Sequence, residues 1–88
     1  MLPNYPNPFN PETCISYNLP FECQTELSIY NLKGKKIMTL VNETQEAGYY
    51  SVSWNGKNEN DLEVSSGVYI YRIETEHYKM AKTMVLVK

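Results

Sequence analysis

The sequence predicts an all-β sandwich of about six or seven short antiparallel strands. Three observations carry that reading. Val, Ile, Thr and Tyr dominate runs in which apolar and polar residues alternate with a period of two. Turn-forming residues separate these runs at intervals of about 8 to 12 positions. No segment sustains the apolar period of a helix, so helix is nearly excluded.

The elements follow in chain order. Pro3, Pro6, Pro8 and Pro11 each fix φ and remove a backbone donor, so the opening stretch runs extended and reads as a linker turning into a sheet edge. Asn4, Asn7 and Asn10 are placed to close Asx-type turns beside these prolines, and Tyr5 and Phe9 to pin the segment onto the body. Residues 1–11 are therefore expected to form a linker and first edge segment, and residues 12–88 the sandwich. After Thr13, Ile15, Tyr17 and Leu19 share one face of a half-buried strand that Pro20 ends. A polar turn is expected around Glu22 to Thr25, followed by a strand in which Leu27, Ile29 and Asn31 alternate with Ser28 and Tyr30. Leu32, Lys33 and Gly34 close it, with Gly34 suited to the left-handed position of a short hairpin loop with a bulge.

In Lys36 to Val41 the run KIMTLV is apolar on both faces, the pattern of a strand lying centrally in a sheet. Asn42 to Ala47 read as a polar connection. Tyr50, Val52 and Trp54 then alternate with Tyr49, Ser51 and Ser53 in a fourth strand, which Asn55 and Gly56 stop. The polar run from Lys57 to Ser66 has room for a short strand at Glu63 and Val64. Gly67 opens the strong strand VYIYRIE, which turns near Glu76 and His77 into a last strand over roughly Tyr78 to Val87. Trp54 is the expected core anchor.

Composition narrows the function. Eighty-eight residues, 42% hydrophobic and 20% charged, make one ordinary globular domain. A net charge of -2 leaves no basic surplus for phosphates, which argues against a nucleic-acid partner. No apolar run approaches the length of a membrane span. The opening MLPNYPNPFNP has neither the charged nor the apolar region of a secretory signal. Cys14 reads as mid-strand and Cys23 as part of the following turn; with the two flanking strands taken as a hairpin, the sulfurs lie too far apart to bond, so two free thiols are expected. Redox CxxC pairs and zinc quartets are absent.

Little in the sequence points to chemistry. His77 is the only histidine and falls at a hairpin tip, and nothing in the spacing selects it as a partner for Cys14, so no catalytic residues are assigned. Asn58, Glu59, Asn60 and Asp61 cluster oxygen ligands in one loop but lack the glycine and terminal glutamate of a calcium-binding loop. No metal and no cofactor is therefore expected. The eight tyrosines admit two readings, rings filling the core edge or a row that stacks on sugars. Tyr30 and Tyr49, which fall opposite the apolar faces of their strands, are the candidate glycan contacts. Lys79, Lys82 and Lys88 interleave with Met80, Met84, Val85, Leu86 and Val87. They fit a lysine-protected edge or a terminal strand read by another protein, and a free edge of the sandwich also permits an edge-strand dimer.

Several segments, taken together, resemble a known family: YPNPFNPETCISYNLP, LSIYNLKGKKIMTLV, AGYYSVSWNGKN, SSGVYIYRIET and the terminal KTMVLVK. In order and spacing they are similar to the type A C-terminal sorting domain of the type IX secretion system, which is related to the immunoglobulin-like domain of flagellar hook-capping proteins. The likeness runs from about Asn4 to Lys88. It implies an immunoglobulin-like sandwich that ends a longer exported protein and directs it through an outer-membrane channel to the surface of a Gram-negative bacterium. The parent would reach the periplasm by a separate N-terminal signal. Implied partners are the secretion machinery, a sortase-like peptidase that commonly clips the module off, and the parent's N-terminal domains.

By motif, Gly67, Val68 and Tyr69 match the family's GxY element, and the stretch holding Lys82, Val85, Leu86, Val87 and Lys88 matches its terminal strand, usually needed for export. A final strand can be read by β-augmentation, main-chain hydrogen bonds giving affinity and alternate side chains specificity. The chain departs from the family after the tryptophan, where Asn55 replaces an aspartate and Asp61 and Leu62 stand where glycine is common. An accessory binding module and a hook-cap-like assembly domain are the alternatives that the same fold allows.

Overall fold

The computed structural model describes residues 1–8 and 12–87. It contains six strands: β1 (Thr13–Leu19), β2 (Cys23–Tyr30), β3 (Lys36–Gln45), β4 (Gly48–Trp54), β5 (Gly67–Thr75) and β6 (Lys79–Leu86). They form two antiparallel sheets, a small one of β1 and β4 and a larger one in the order β3-β2-β5-β6. The expected all-β, immunoglobulin-like sandwich is what the chain forms.

Alternation decides which side of β1, β4, β5 and β6 faces inward. Ile15, Tyr17 and Leu19 of β1 meet Leu27 and Ile29 of β2, Tyr69, Tyr71 and Ile73 of β5, and Met84 and Leu86 of β6 in one core. Each fully buried aliphatic side chain in such a core contributes roughly 1.5–3 kcal/mol. Trp54 anchors it as expected: the residue is 1% exposed, its ring lies 5.5 Å edge-on from Tyr69, and its indole N–H donates to the Lys57 carbonyl at 2.9 Å.

The loop after β2 takes the form its sequence predicts. The Asn31 side-chain oxygen accepts the Lys33 and Lys35 amides, and Gly34 adopts φ 83°, a conformation that costs glycine little. The β5–β6 hairpin closes where Glu76 and His77 are, with the Thr75 amide donating to the Tyr78 carbonyl.

Three local expectations are corrected. β3 is an edge strand and not a central one, and it runs through Gln45, so Asn42 to Gln45 are strand where a polar connection was expected. Its two-faced apolar character comes from register shifts at Leu27/Ser28 and Ile29/Tyr30, which rotate successive residues away from simple alternation. β2 begins at Cys23 and not beyond Thr25, and both residues are buried. β1 and β2 are not a hairpin, because they belong to opposite sheets. The two thiols are nevertheless free, Cys14 exposed and Cys23 buried.

The opening segment is tied to the body by its backbone. Leu2 donates to the Ser16 carbonyl, and Tyr5 and Cys14 exchange a reciprocal pair of bonds at 2.9 and 2.8 Å. The Tyr5 ring, expected as a pin, is instead 81% exposed. Phe9 and Asn10 lie outside the described residues.

Candidate functional site

The residues singled out in the GxY element and the terminal stretch converge at one end of the large sheet. Gly67 is opposite Leu86, Val68 opposite Val85 and Tyr69 opposite Met84, with Lys82 further along β6 opposite Tyr71. Sheet alternation then divides them by role. Tyr69 and Leu86 point inward and are core, and the Tyr69 hydroxyl donates to the Ser65 carbonyl at 2.6 Å. Val68, 38% exposed, stands opposite half-buried Val85 on the outer face, forming a small apolar patch, and Val87, 47% exposed, follows the end of β6. Lys88 lies outside the described residues.

Beside the patch runs the lateral edge of β6. The Val85 amide turns away from β5 and donates to the Asn7 side-chain oxygen at 2.9 Å. Antiparallel pairing alternates, so Lys79, Ala81 and Thr83 also direct their backbone groups away from β5, to the open edge. Between this edge and the opening segment lies a cleft of about 430 Å³ lined by Pro3, Asn4, Asn7, Tyr71, Ala81, Lys82 and Thr83. Tyr71 holds its floor: the hydroxyl accepts the Asn4 amide at 2.9 Å and donates to the Leu2 carbonyl at 3.1 Å. Burial pushes the pKa of that hydroxyl above the ordinary tyrosine value. Asn4 is buried, its side-chain N–H groups reaching Thr13 Oγ1 and the Pro6 carbonyl, while its Oδ1 is without a partner.

Sequence reasoning missed Asn4, Asn7, Tyr71, Ala81 and Thr83. The recurrent Asn beside Pro was a usable signal for local turns, but its distant partners were not visible in it.

The other candidate groups are dispersed. Tyr30 lies on the outer face of the large sheet, where the Arg72 guanidinium sits 4.7 Å from its ring centre and donates to its hydroxyl at 2.8 Å. Tyr49 lies on the outer face of the small sheet and is 88% exposed. The two rings are on opposite sheets and do not form a common row. His77 packs edge-on against Phe21 at 4.4 Å, beyond the far end of β1 from Cys14, whose sulfur is 3.5 Å from Ser53 Oγ.

The oxygen-rich loop is occupied by its own chain. Asn58 Oδ1 accepts the Asn60 and Leu62 amides. Glu59 turns to β3, its amide donating to the Ile37 carbonyl and its carboxylate accepting the Thr39 amide. Asp61 sits 3.7 Å from Lys57 Nζ, and the expected short strand reduces to a single Lys57–Glu63 bridge. Among the described residues no group of three or more His, Cys, Asp and Glu gathers. No helix among them is long and apolar enough to cross a membrane.

Two sheets with this strand order define an immunoglobulin-like domain. The chain belongs to the FlgD Ig-like domain family, whose sequence model matches residues 13–78. Among solved structures, FlgD from P. aeruginosa is similar with a TM-score of 0.66 and 22% identity, over 84% of this chain and 61% of that one. PorZ of Porphyromonas gingivalis, an essential bacterial surface component of the type-IX secretion system, is similar with a TM-score of 0.67 and 18% identity, over 97% of this chain and 11% of that one. These likenesses establish the fold, and this chain spans less than two thirds of either protein. Among curated proteins, no relative matches the chain.

Proposed function

We propose that this domain is a non-catalytic sorting and anchoring module, directing an exported protein through the type IX secretion system to the cell surface. The observation that carries the proposal is the convergence of the GxY element with the terminal strand. Gly67 and Val68 pair with Leu86 and Val85, and this places an apolar patch of exposed Val68 and half-buried Val85 beside an edge of β6 that Asn7 caps at Val85 and that is open at Lys79, Ala81 and Thr83. Such an edge supplies main-chain donors and acceptors to an extended segment of the secretion machinery, and the patch supplies side-chain selectivity. The shared fold with a surface component of that system supports the reading. So does the order of motifs along the chain.

The test is a fluorescent cargo fused to residues 1–88 in a type IX-competent host. Surface exposure of the cargo is expected, with loss of export in the Val68→Glu and Val85→Glu variants, whose fold is checked by circular dichroism. Periplasmic retention of the unaltered fusion would sink the proposal. A hook-cap-like assembly role is the second reading, favoured by the family match over residues 13–78. It expects retention together with self-association of the parent.

A further inference from the structure

The two sheets present four lateral edges, and these are not treated alike: that of β1 is covered by the opening segment through Tyr5 and Leu2. The β3 edge is covered by the loop after β4, since Glu59 takes both the Ile37 carbonyl and the Thr39 amide, and two bulges disturb its ladder. The β6 edge is capped at Val85 by Asn7 and carries Lys79. These are the usual protections against unwanted strand pairing. Among the described residues none of these protections is found at the edge of β4: its sequence GYYSVSW holds no charge and no proline, and its pairing with β1 runs without a register shift.

The ladder shows which groups that edge presents. Cys14 spends both its backbone groups on Tyr5, so Thr13, Ile15 and Tyr17 turn theirs to Trp54, Val52 and Tyr50. Tyr49, Ser51 and Ser53 therefore direct their amides and carbonyls outward. Their side chains stand on the exposed outer face, where Ser16 and Ser51 lie between Tyr49 and Leu2 in an apolar depression of about 340 Å³. On the inner face, Tyr50 and Val52 are only half-buried at the rim of the core.

We infer that this edge is an interface for a second copy of the chain, β4 pairing antiparallel with its partner's β4 about a two-fold axis at Ser51. The outer row of β4 reads large, small, small. The two-fold axis sets Ser51 against Ser51 of the partner subunit, and each Tyr49 ring against a serine at position 53, with the neighbouring Ser51 within diagonal reach. Ring meets small residue on both sides of the axis, and uncharged strand meets uncharged strand. Each of the three opposed pairs exchanges two main-chain bonds. The arrangement closes on itself and does not propagate into a fibre.

Cross-linking tests the register. In a Cys14→Ser background, opposed Cα atoms of a hydrogen-bonded pair at position 51 lie about 5.5 Å apart, within disulfide range. Two copies of position 53 lie about 14 Å apart, outside it. Under mild oxidation Ser51→Cys is expected to form covalent dimer and Ser53→Cys is not. Ser51→Lys, which sets like charges face to face on a solvent-exposed position, is expected to raise the dimer dissociation constant at least about tenfold in sedimentation equilibrium with an unchanged circular dichroism spectrum. Equal or preferential cross-linking through position 53 overturns the register. A chain that remains monomeric into the millimolar range overturns the interface altogether.

Discussion

Tyr71 shows how much one side chain can join. Its ring lies in the core, fully buried, while its hydroxyl reaches through the seam between the two sheets to accept the Asn4 amide and donate to Leu2. Removing that oxygen leaves the Asn4 amide buried without an acceptor. The Tyr71→Phe variant is expected to lose about 1–3 kcal/mol by urea denaturation, whereas Tyr49→Phe, on the solvent face, stays within about 0.5 kcal/mol of the parent. Titration gives a second measure. Burial raises the pKa of Tyr17, Tyr69, Tyr71 and Tyr78 above the ordinary 10.0. Between that value and the raised ones the folded chain holds protons that the unfolded chain has released. The stability tied to these groups is complete below pH 10.0 and is lost as pH rises through the folded values. Thermal melts should therefore fall steeply on the alkaline side, and less steeply in Tyr71→Phe relative to its own maximum. An alkaline limb of identical slope would show that Tyr71 ionises as freely in the folded state as in the unfolded one.

At the scale of single elements, β1 was legible because one face is core and the other largely meets solvent, and β5 because its β-branched and aromatic residues run unbroken after Gly67. β3 was misread because two bulges let Ile37, Met38, Leu40 and Val41 all pack on the core from a strand at the edge, imitating the two-sided burial of a central strand. The start of β2 was misread for a different reason. Thr25 is fully buried, its hydroxyl satisfied by the Cys23 carbonyl at 3.3 Å, so a polar residue does core duty and breaks the hydropathy signal. Of the candidate site, the residues carried by motif were legible and the contacts were not. Asn7 meets Val85 across 78 positions and Asn4 meets Tyr71 across 67, and no local pattern encodes such pairings.

The pairing of β2 with β3 carries its own prediction. Lys36 Nζ lies 2.6 Å from Glu26 Oε2, and this hydrogen bond holds the Glu26 carboxyl below its ordinary 4.5 and the Lys36 ammonium above its ordinary 10.5. The Glu26 contribution is present above pH 4.5 and is lost as pH falls through the lowered value. Both side chains are substantially exposed, so the contribution is small and screened by salt. Glu26→Gln should lower the melting temperature slightly at neutral pH and not at all well below pH 4.5. A difference that persists in strong acid would trace the cost to Ser28, whose hydroxyl also donates to this carboxylate, and not to the charge.

On the scale of the whole molecule, the two ends of the chain are parts of one structure. The opening segment pairs with β1, caps β6 through Asn7 and is held by Tyr71, while β6 delivers Met84 and Leu86 to the centre of the core. This arrangement decides how a recognition role for β6 can be tested. Truncation after Lys79 removes both buried side chains, and losses of about 2–5 kcal/mol for each such deletion compare with a total stability of only about 5–15 kcal/mol for a domain. A truncated chain is therefore expected to lose its cooperative thermal transition, and its failure to be exported would report unfolding as readily as loss of a signal. The informative variant keeps the core and alters only the edge. Thr83 is exposed and its amide points away from β5, so Thr83→Pro removes an outward donor without removing a ladder bond to β5. Its melt should stay close to that of the parent while surface display of a fused cargo falls. A Thr83→Pro fusion displayed as well as the parent would mean that the β6 edge is not what the secretion machinery reads.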